Sequence, residues 1–126
     1  MIINERIVEY FSNPRNLEEM SEPDLVIIEG HPVCGDTVHL YVKMENDSTI
    51  RKASFQTYGC ATSVALSSML VEKFGGLTAE EVQNISRENI MEMLGRISPD
   101  QTHCIDIGVN LIQKFSDEYN KKYGNR

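Results

Sequence analysis

A chain of 126 residues with 40% hydrophobic and 25% charged side chains has the length and composition of one globular domain, read here as spanning 1–126. Its formal net charge of −7 argues against a phosphate-backbone partner, because nucleic-acid binders carry basic patches, and suits a basic protein partner or bound cations instead. No apolar run approaches the roughly 18 residues of a membrane span, and "MIINERIVEYF" sets Glu5 and Arg6 where a secretion signal needs an uninterrupted apolar stretch, so the expectation is a cytoplasmic protein without membrane or nucleic-acid partners.

In chain order, "NERIVEYFSN" reads as a short helix, with Ile3, Ile7 and Phe11 recurring every four residues and Asn13-Pro14 ending it. Arg15, in the "NPRN" that follows, is exposed enough to contact a partner. After Pro23, "LVIIEG" reads as a strand, and "TVHLYVKM" as a second with Val38, Leu40, Val42 and Met44 on one face. "ENDS" is a turn, and "TIRKASFQTY" is a third strand whose imperfect period suggests a bulge.

From residue 61 the pattern is helical. "ATSVALSSMLVEKF" has apolar positions at Val64, Leu70, Val71 and Phe74 and stops at Gly75-Gly76. "TAEE" at 78–81 is a capping box for a short helix, and Ser86 caps another that ends before Gly95. "SPDQ" at 98–101 offers a cap, a proline at the first helical position and a glutamine reaching back. The last helix aligns Cys104, Gly108, Leu111, Ile112, Phe115 and Tyr119 on one face. Strands first and helices after give an α+β fold, a three-stranded antiparallel sheet with helices packed on one face.

The three cysteines lie in "CGD" (34–36), "TYGCATS" (57–63) and "THCID" (102–106). An odd count in a reducing compartment does not suit a disulfide framework and points to metal, sulfur or nucleophile chemistry. Cys34 falls between the first two strands, Cys60 at a strand-to-helix junction, and Cys104 near the first turn of the last helix. Helix N-termini carry partial positive charge, which favours the thiolate that binds metal and attacks sulfur. Gly35 and Gly59 leave room beside two of the thiols; Asp36 and His103 add a carboxylate and an imidazole.

Thiolates select zinc, copper(I) and iron–sulfur centres. No compact C-x-x-C pair marks a structural zinc site, and separations of 26 and 44 residues leave the gathering to the fold. An oxygen ligand suits an iron–sulfur centre less well than a fourth sulfur, so such a set would hold a cluster that can still leave. Taken alone, Cys104 on its apolar face equally suits a buried inert thiol, Asp36 a turn cap, and His103 a surface position.

Together, "CGD", "TYGCATS", the His103-Cys104 pair and "NPRN" resemble the U-type iron–sulfur scaffold family (IscU and the N-terminal domain of NifU) over about residues 4–123. The resemblance implies an IscU-like (SufE/NifU-type) fold and a scaffold that accepts sulfur from a cysteine desulfurase, builds a transient [2Fe-2S] cluster with iron, and delivers it to apo iron–sulfur proteins. It implies Cys34, Cys60 and Cys104 as cysteine ligands, Asp36 and His103 as auxiliary metal ligands, and zinc at the same residues in the cluster-free form. It implies a carrier rather than an enzyme, with Cys104 and Cys34 as candidate persulfide acceptors and with frataxin-like and DnaK/J-type chaperone partners.

Two departures stand out. Many members carry Leu-Pro-Pro-Val-Lys before the His-Cys pair, a segment read by the chaperone. Here "ISPDQ" stands at 97–101 and Gln101 replaces the lysine, which counts against chaperone-driven release. His31, three residues before Cys34 in "HPVC", is not expected to ligate. The related SufU branch carries an insertion before the third cysteine and lacks the adjacent histidine, so the chain sits with the IscU-like branch. The alternative function is a zinc-dependent, SufU-like sulfur-transfer protein that accepts persulfide without holding a cluster. A Cys104/His103 hydrolase is the third class; adjacent helical residues project roughly 100° apart and no oxyanion motif is apparent.

Overall fold

Helix α1 (Glu5–Ser12) starts where the Asn4 side chain accepts a hydrogen bond from the Ile7 amide. The same asparagine donates to the carbonyls of Leu94 and Arg96, tying the N-terminal segment to the far half of the chain. The structure is a computed structural model that describes residues 4–30 and 35–124. Ile3 and the His31 and Cys34 positions therefore lie outside the described residues.

Strands β1 (Leu25–Gly30), β2 (Thr37–Met44) and β3 (Ile50–Tyr58) form one antiparallel sheet in the order β1-β2-β3. Alternation does the work in β1 and β2: Leu25, Ile27, Val38, Leu40, Val42 and Met44 are buried, while Val26 and Ile28 face outward. The irregular period of β3 has the anticipated cause. Lys43 pairs with Lys52 and Met44 with Ile50, so Arg51 is an extra residue, and the bulge returns Ile50 to the core side with Ala53 and Phe55. The free edge of β3 is covered by 16–18, through the Leu17–Phe55 bridge, and by 76–78 near Ile50.

Helices α2 (Ala61–Phe74) and α5 (His103–Tyr123) lie on the core side of the sheet, α2 over β3 and α5 over β1. Helix α3 (Ala79–Gln83) opens with the expected Thr78/Glu81 capping box, and α4 (Arg87–Leu94) with one between Ser86 and Asn89. The α5 face is as expected, with Cys104, Gly108, Leu111, Ile112 and Phe115 buried and Tyr119 partly so. Phe115 sits edge-on to Phe74 and stacks on Tyr119, both at 5.9 Å between centroids. No helix among the described residues is long and apolar enough to cross a membrane.

Four expectations change. Phe11 is exposed, because α1 is too short to bury more than Ile7 against Ala65 and Met69 of α2. Helix α2 shows no single apolar stripe; packed between sheet and helices, it buries Ser63, Ser67 and Ser68 as well, with Ser67 donating to the Ser63 carbonyl and Ser68 accepting from the Arg15 amide. Arg15 is held within the chain by Glu9, Glu72 and the Tyr10 ring. Finally, 98–101 forms a single 3-10 turn (Pro99–Gln101) with proline first but no side-chain cap, and Gln101 points elsewhere.

Gly108 sets how closely α5 approaches α2 and α4: a Cβ there would lie 3.1 Å from both Leu66 and Ile90, which are fully buried. Gly108→Val should lower stability by about 1–3 kcal/mol through overpacking. Urea unfolding should show a lower midpoint at unchanged slope; an unchanged midpoint would mean that the helices separate without penalty.

Candidate metal centre

Backbone conformation brings the site together. Gly35 has φ +76°, a conformation that favours glycine, and turns the chain into β2 with Asp36 buried at its start. The pairing of Thr37 with Tyr58 sets Asp36 beside the end of β3. There Gly59 allows a close approach: a Cβ would stand 2.3 Å from the Ser63 Oγ and 3.0 Å from the Asp36 carboxyl. Cys60 is the N-cap of α2, its carbonyl accepting the Val64 amide. His103 and Cys104 open α5 directly after the 3-10 turn.

Donor atoms of Asp36, Cys60, His103 and Cys104 consequently all lie within 4.8 Å of one another. The Cys60 and Cys104 sulfurs are 3.7 Å apart, too far for a disulfide between them. Asp36 Oδ2 stands 3.5 Å from the Cys60 Sγ and 3.1 Å from the His103 Nε2, which is 3.6 Å from the Cys104 Sγ. A tetrahedral ion with bonds of 2.0–2.3 Å spaces its ligands by about 3.3–3.8 Å. Two sulfurs, one nitrogen and one oxygen thus sit at the spacing of a ligand shell, and the donor set suits zinc or iron.

Charge is distributed unevenly. The Cys104 thiol, hydrogen-bonded to Cys60, lowers the Cys60 pKa from 9.0 to about 5; burial and the Asp36 charge oppose this, while the amide and hydroxyl of Ser63 reinforce it. Burial disfavours the His103 imidazolium, but hydrogen bonds to Asp36 and Cys60, together with their charges, outweigh it and raise the pKa above 6.5. At neutral pH the metal-free site accordingly contains a Cys60 thiolate beside a histidine inclined to hold its proton.

The structure brings together four of the five residues singled out as ligands; the fifth, Cys34, lies outside the described residues, as does His31. Adjacent residues of a helix need not meet, yet in the first turn of α5 the His103 Nε2 and the Cys60 Sγ both lie beside the Cys104 Sγ. Sequence analysis missed two neighbours. Ser63 borders the Cys60 sulfur at 3.7 Å, a position that its place one turn into the helix could have signalled. Gln101 is buried with its Oε1 3.3 Å from the Cys60 Sγ, where a capping role at Ser98 was the expectation; no local signal marks that choice.

Residues 2–126 match the family described as NifU-like N terminal domain. The iron-sulfur cluster assembly scaffold protein IscU 1 of Archaeoglobus fulgidus is 35% identical over 121 residues, covering 96% of this chain and 78% of the relative. IscU of Haemophilus influenzae is 31% identical over 127 residues, covering 98% and 100%, and that of Escherichia coli 30% over 125 residues, covering 97% of each. The crystal structure of a NifU-like N-terminal domain from Brucella abortus superposes with a TM-score of 0.70 at 22% identity, covering 91% of this chain and 94% of the other. FiSufU of Fervidobacterium islandicum AW-1 gives 0.72 at 19%, covering 93% and 96%; at these identities both show the shared fold alone. With its fold, its matched length and its relatives in agreement, the chain belongs to the NifU-like N-terminal domain family.

Proposed function

We propose that this protein is a scaffold for iron–sulfur cluster assembly, a carrier whose single domain receives sulfur and iron, holds a [2Fe-2S] cluster as cargo and releases it to apo-proteins. The observation that carries this reading is the convergence of Asp36, Cys60, His103 and Cys104 from three separate segments on one small volume. Relatives at 30–35% identity that bear the scaffold name support it.

Cys34 is proposed as the third thiolate ligand. In sequence it stands two residues before Asp36. With three thiolates in place, Asp36 or His103 supplies the fourth position, and the harder oxygen or nitrogen donor leaves the cargo less firmly held than a fourth sulfur would.

Sulfur would arrive as the outer atom of a cysteine desulfurase persulfide. A scaffold thiolate attacks that atom; the new S–S bond forms as the old one breaks, and the desulfurase cysteine leaves as thiolate. Cys104 and Cys34 are the proposed acceptors. Cys104 is fully buried, so acceptance there requires local opening, whereas the partly buried Cys60 already presents a thiolate. Two electrons from a separate one-electron carrier or dithiol then convert the persulfide to sulfide and thiolate, and iron closes the cluster.

A frataxin-like partner and a DnaK/J-type chaperone remain part of the proposal. A chaperone reading 97–101 would meet the exposed Pro99 and Asp100, since Gln101 faces inward. Residence in the cytoplasm is likewise proposed, where a reducing environment keeps cysteines as thiols. Zinc transfer without a cluster is the second reading, favoured by one observation: the four described donors match the number and types of ligand that a zinc ion takes.

Anaerobic incubation with desulfurase, cysteine, ferrous iron and a reductant should give [2Fe-2S] absorption that Cys34→Ser, Cys60→Ser and Cys104→Ser each diminish. Asp36→Ala should slow cluster transfer to an apo-acceptor about three- to tenfold, a barrier change of about 0.7–1.4 kcal/mol. Sulfur acceptance on a zinc-bound protein that never shows cluster absorption would overturn the scaffold reading in favour of zinc transfer, and faster transfer by Asp36→Ala would remove Asp36 from its role.

In metal-free protein, iodoacetamide labelling of Cys60, read by peptide mass spectrometry, should rise with pH around a midpoint near 5. Because the Cys104 thiol is the leading cause, Cys104→Ala should move that midpoint up toward 9.0. An unmoved midpoint would contradict the shared proton.

A further inference from the structure

We propose that Gln101 is a positioning residue for the Cys60 ligand: its buried carboxamide borders the Cys60 sulfur and donates N–H to it once Cys60 is ligated. The inference rests on the metal-centre reading above.

Gln101 is 8% exposed, and its Oε1 lies 3.3 Å from the Cys60 Sγ, 41 residues away in sequence. A buried primary amide without a partner costs several kcal/mol, yet no local side-chain cap forms with Ser98. The carboxamide is instead placed beside the sulfur of Cys60, the N-cap residue of α2. The turn fixes this direction: the Gln101 amide bonds to the Ser98 carbonyl at 2.9 Å, and the Thr102 hydroxyl bonds to the Pro99 carbonyl at 3.0 Å.

Ligation changes what the sulfur offers. A metal-bound cysteine has no S–H and presents only lone pairs, so an oxygen facing it is repelled. Rotation of the carboxamide about Cγ–Cδ exchanges oxygen for NH2 at nearly the same place, because the two ends are close to isosteric. Neither the turn nor α5 needs to move. The other side chains around the Cys60 sulfur are differently occupied. Asp36 and Cys104 are proposed ligands themselves, and the Ser63 hydroxyl donates to the Cys60 carbonyl at 3.0 Å. Gln101 is therefore the described side chain placed to donate to the Cys60 sulfur as the site fills.

An N–H directed at a ligating sulfur holds its lone pairs toward the metal and withdraws electron density from them. Partners of this kind are typically worth 10–100-fold in metal affinity. Glutamine thus provides a neutral N–H for the ligated sulfur.

Cobalt(II) alone is the probe, added anaerobically to wild type, Gln101→Met and Gln101→Lys, with the metal-free melting curve of each as the folding control. Methionine retains length but neither accepts nor donates, whereas lysine only donates. Gln101→Met should bind cobalt about tenfold more weakly, and its thiolate-to-cobalt charge-transfer band should move to lower energy because the sulfur lone pairs lose the N–H. Gln101→Lys should retain the wild-type band position. Wild-type affinity and band in Gln101→Met, or the same band shift in both variants, would overturn the inference and leave the metal centre standing. A wild-type protein showing no thiolate-to-cobalt band would instead overturn the metal-centre reading, and the inference with it.

Discussion

The 3.7 Å contact between the Cys60 and Cys104 sulfurs is the constraint on which the remaining geometry depends. It exists because α2 and α5 begin at the same end of the sheet and pack closely enough that Gly108 has no room for a side chain between Leu66 and Ile90. Two thiolates side by side in a partly buried place would repel each other. One proton between them relieves this, and it leaves Cys60 ionised near neutral pH. Asp36 then holds His103 inclined to keep its own proton. The metal-free site is a network of opposite charges and shared protons. Ligation needs thiolates and a neutral imidazole, so loading a metal displaces the protons such ligands hold and binding is coupled to proton release.

That coupling bears on a carrier's task. A shell of four sulfurs would hold a cluster durably. In the proposed shell one corner would belong to a carboxylate that has an alternative partner, the imidazole 3.1 Å away. On letting go of a metal Asp36 could return to His103, so release need not strand a buried charge. Gln101 borders the Cys60 sulfur of the same proposed shell. Near the departure point of 31–34, the buried Glu29 binds Lys114 at 2.7 Å and Asn110 at 2.8 Å, which fixes the end of β1 against α5. The strand from which the Cys34 segment leaves is therefore anchored to the helix that carries Cys104.

Much of this was legible in the sequence because local rules and the fold agree. Alternation in "TVHLYVKM", the Thr78 and Ser86 capping boxes and the apolar face of α5 each follow from period or cap chemistry, and each is found. Phe11 and α2 were harder. An amphipathic period cannot show that α1 is too short to bury its second apolar residue, nor that a helix enclosed on several sides will bury serines. For the site, residue types pointed to Asp36, Cys60, His103 and Cys104, but nothing local foretold that His103 and Cys104 would converge. Gln101 was legible as a capping residue and is not one: a long-range thiol prevailed over the nearby amide, a competition decided only by the packing of the turn against α2.

X-ray absorption at the zinc edge of the zinc-loaded protein tests the central claim most directly, because it counts ligands by element. The account predicts a four-coordinate shell containing at least two sulfurs at about 2.3 Å, with the remainder nitrogen or oxygen at about 2.0–2.2 Å, and a sulfur count that falls by one in Cys60→Ser. A shell of nitrogen and oxygen alone, or a sulfur count indifferent to Cys60, would show that these thiols do not share a metal and would contradict it.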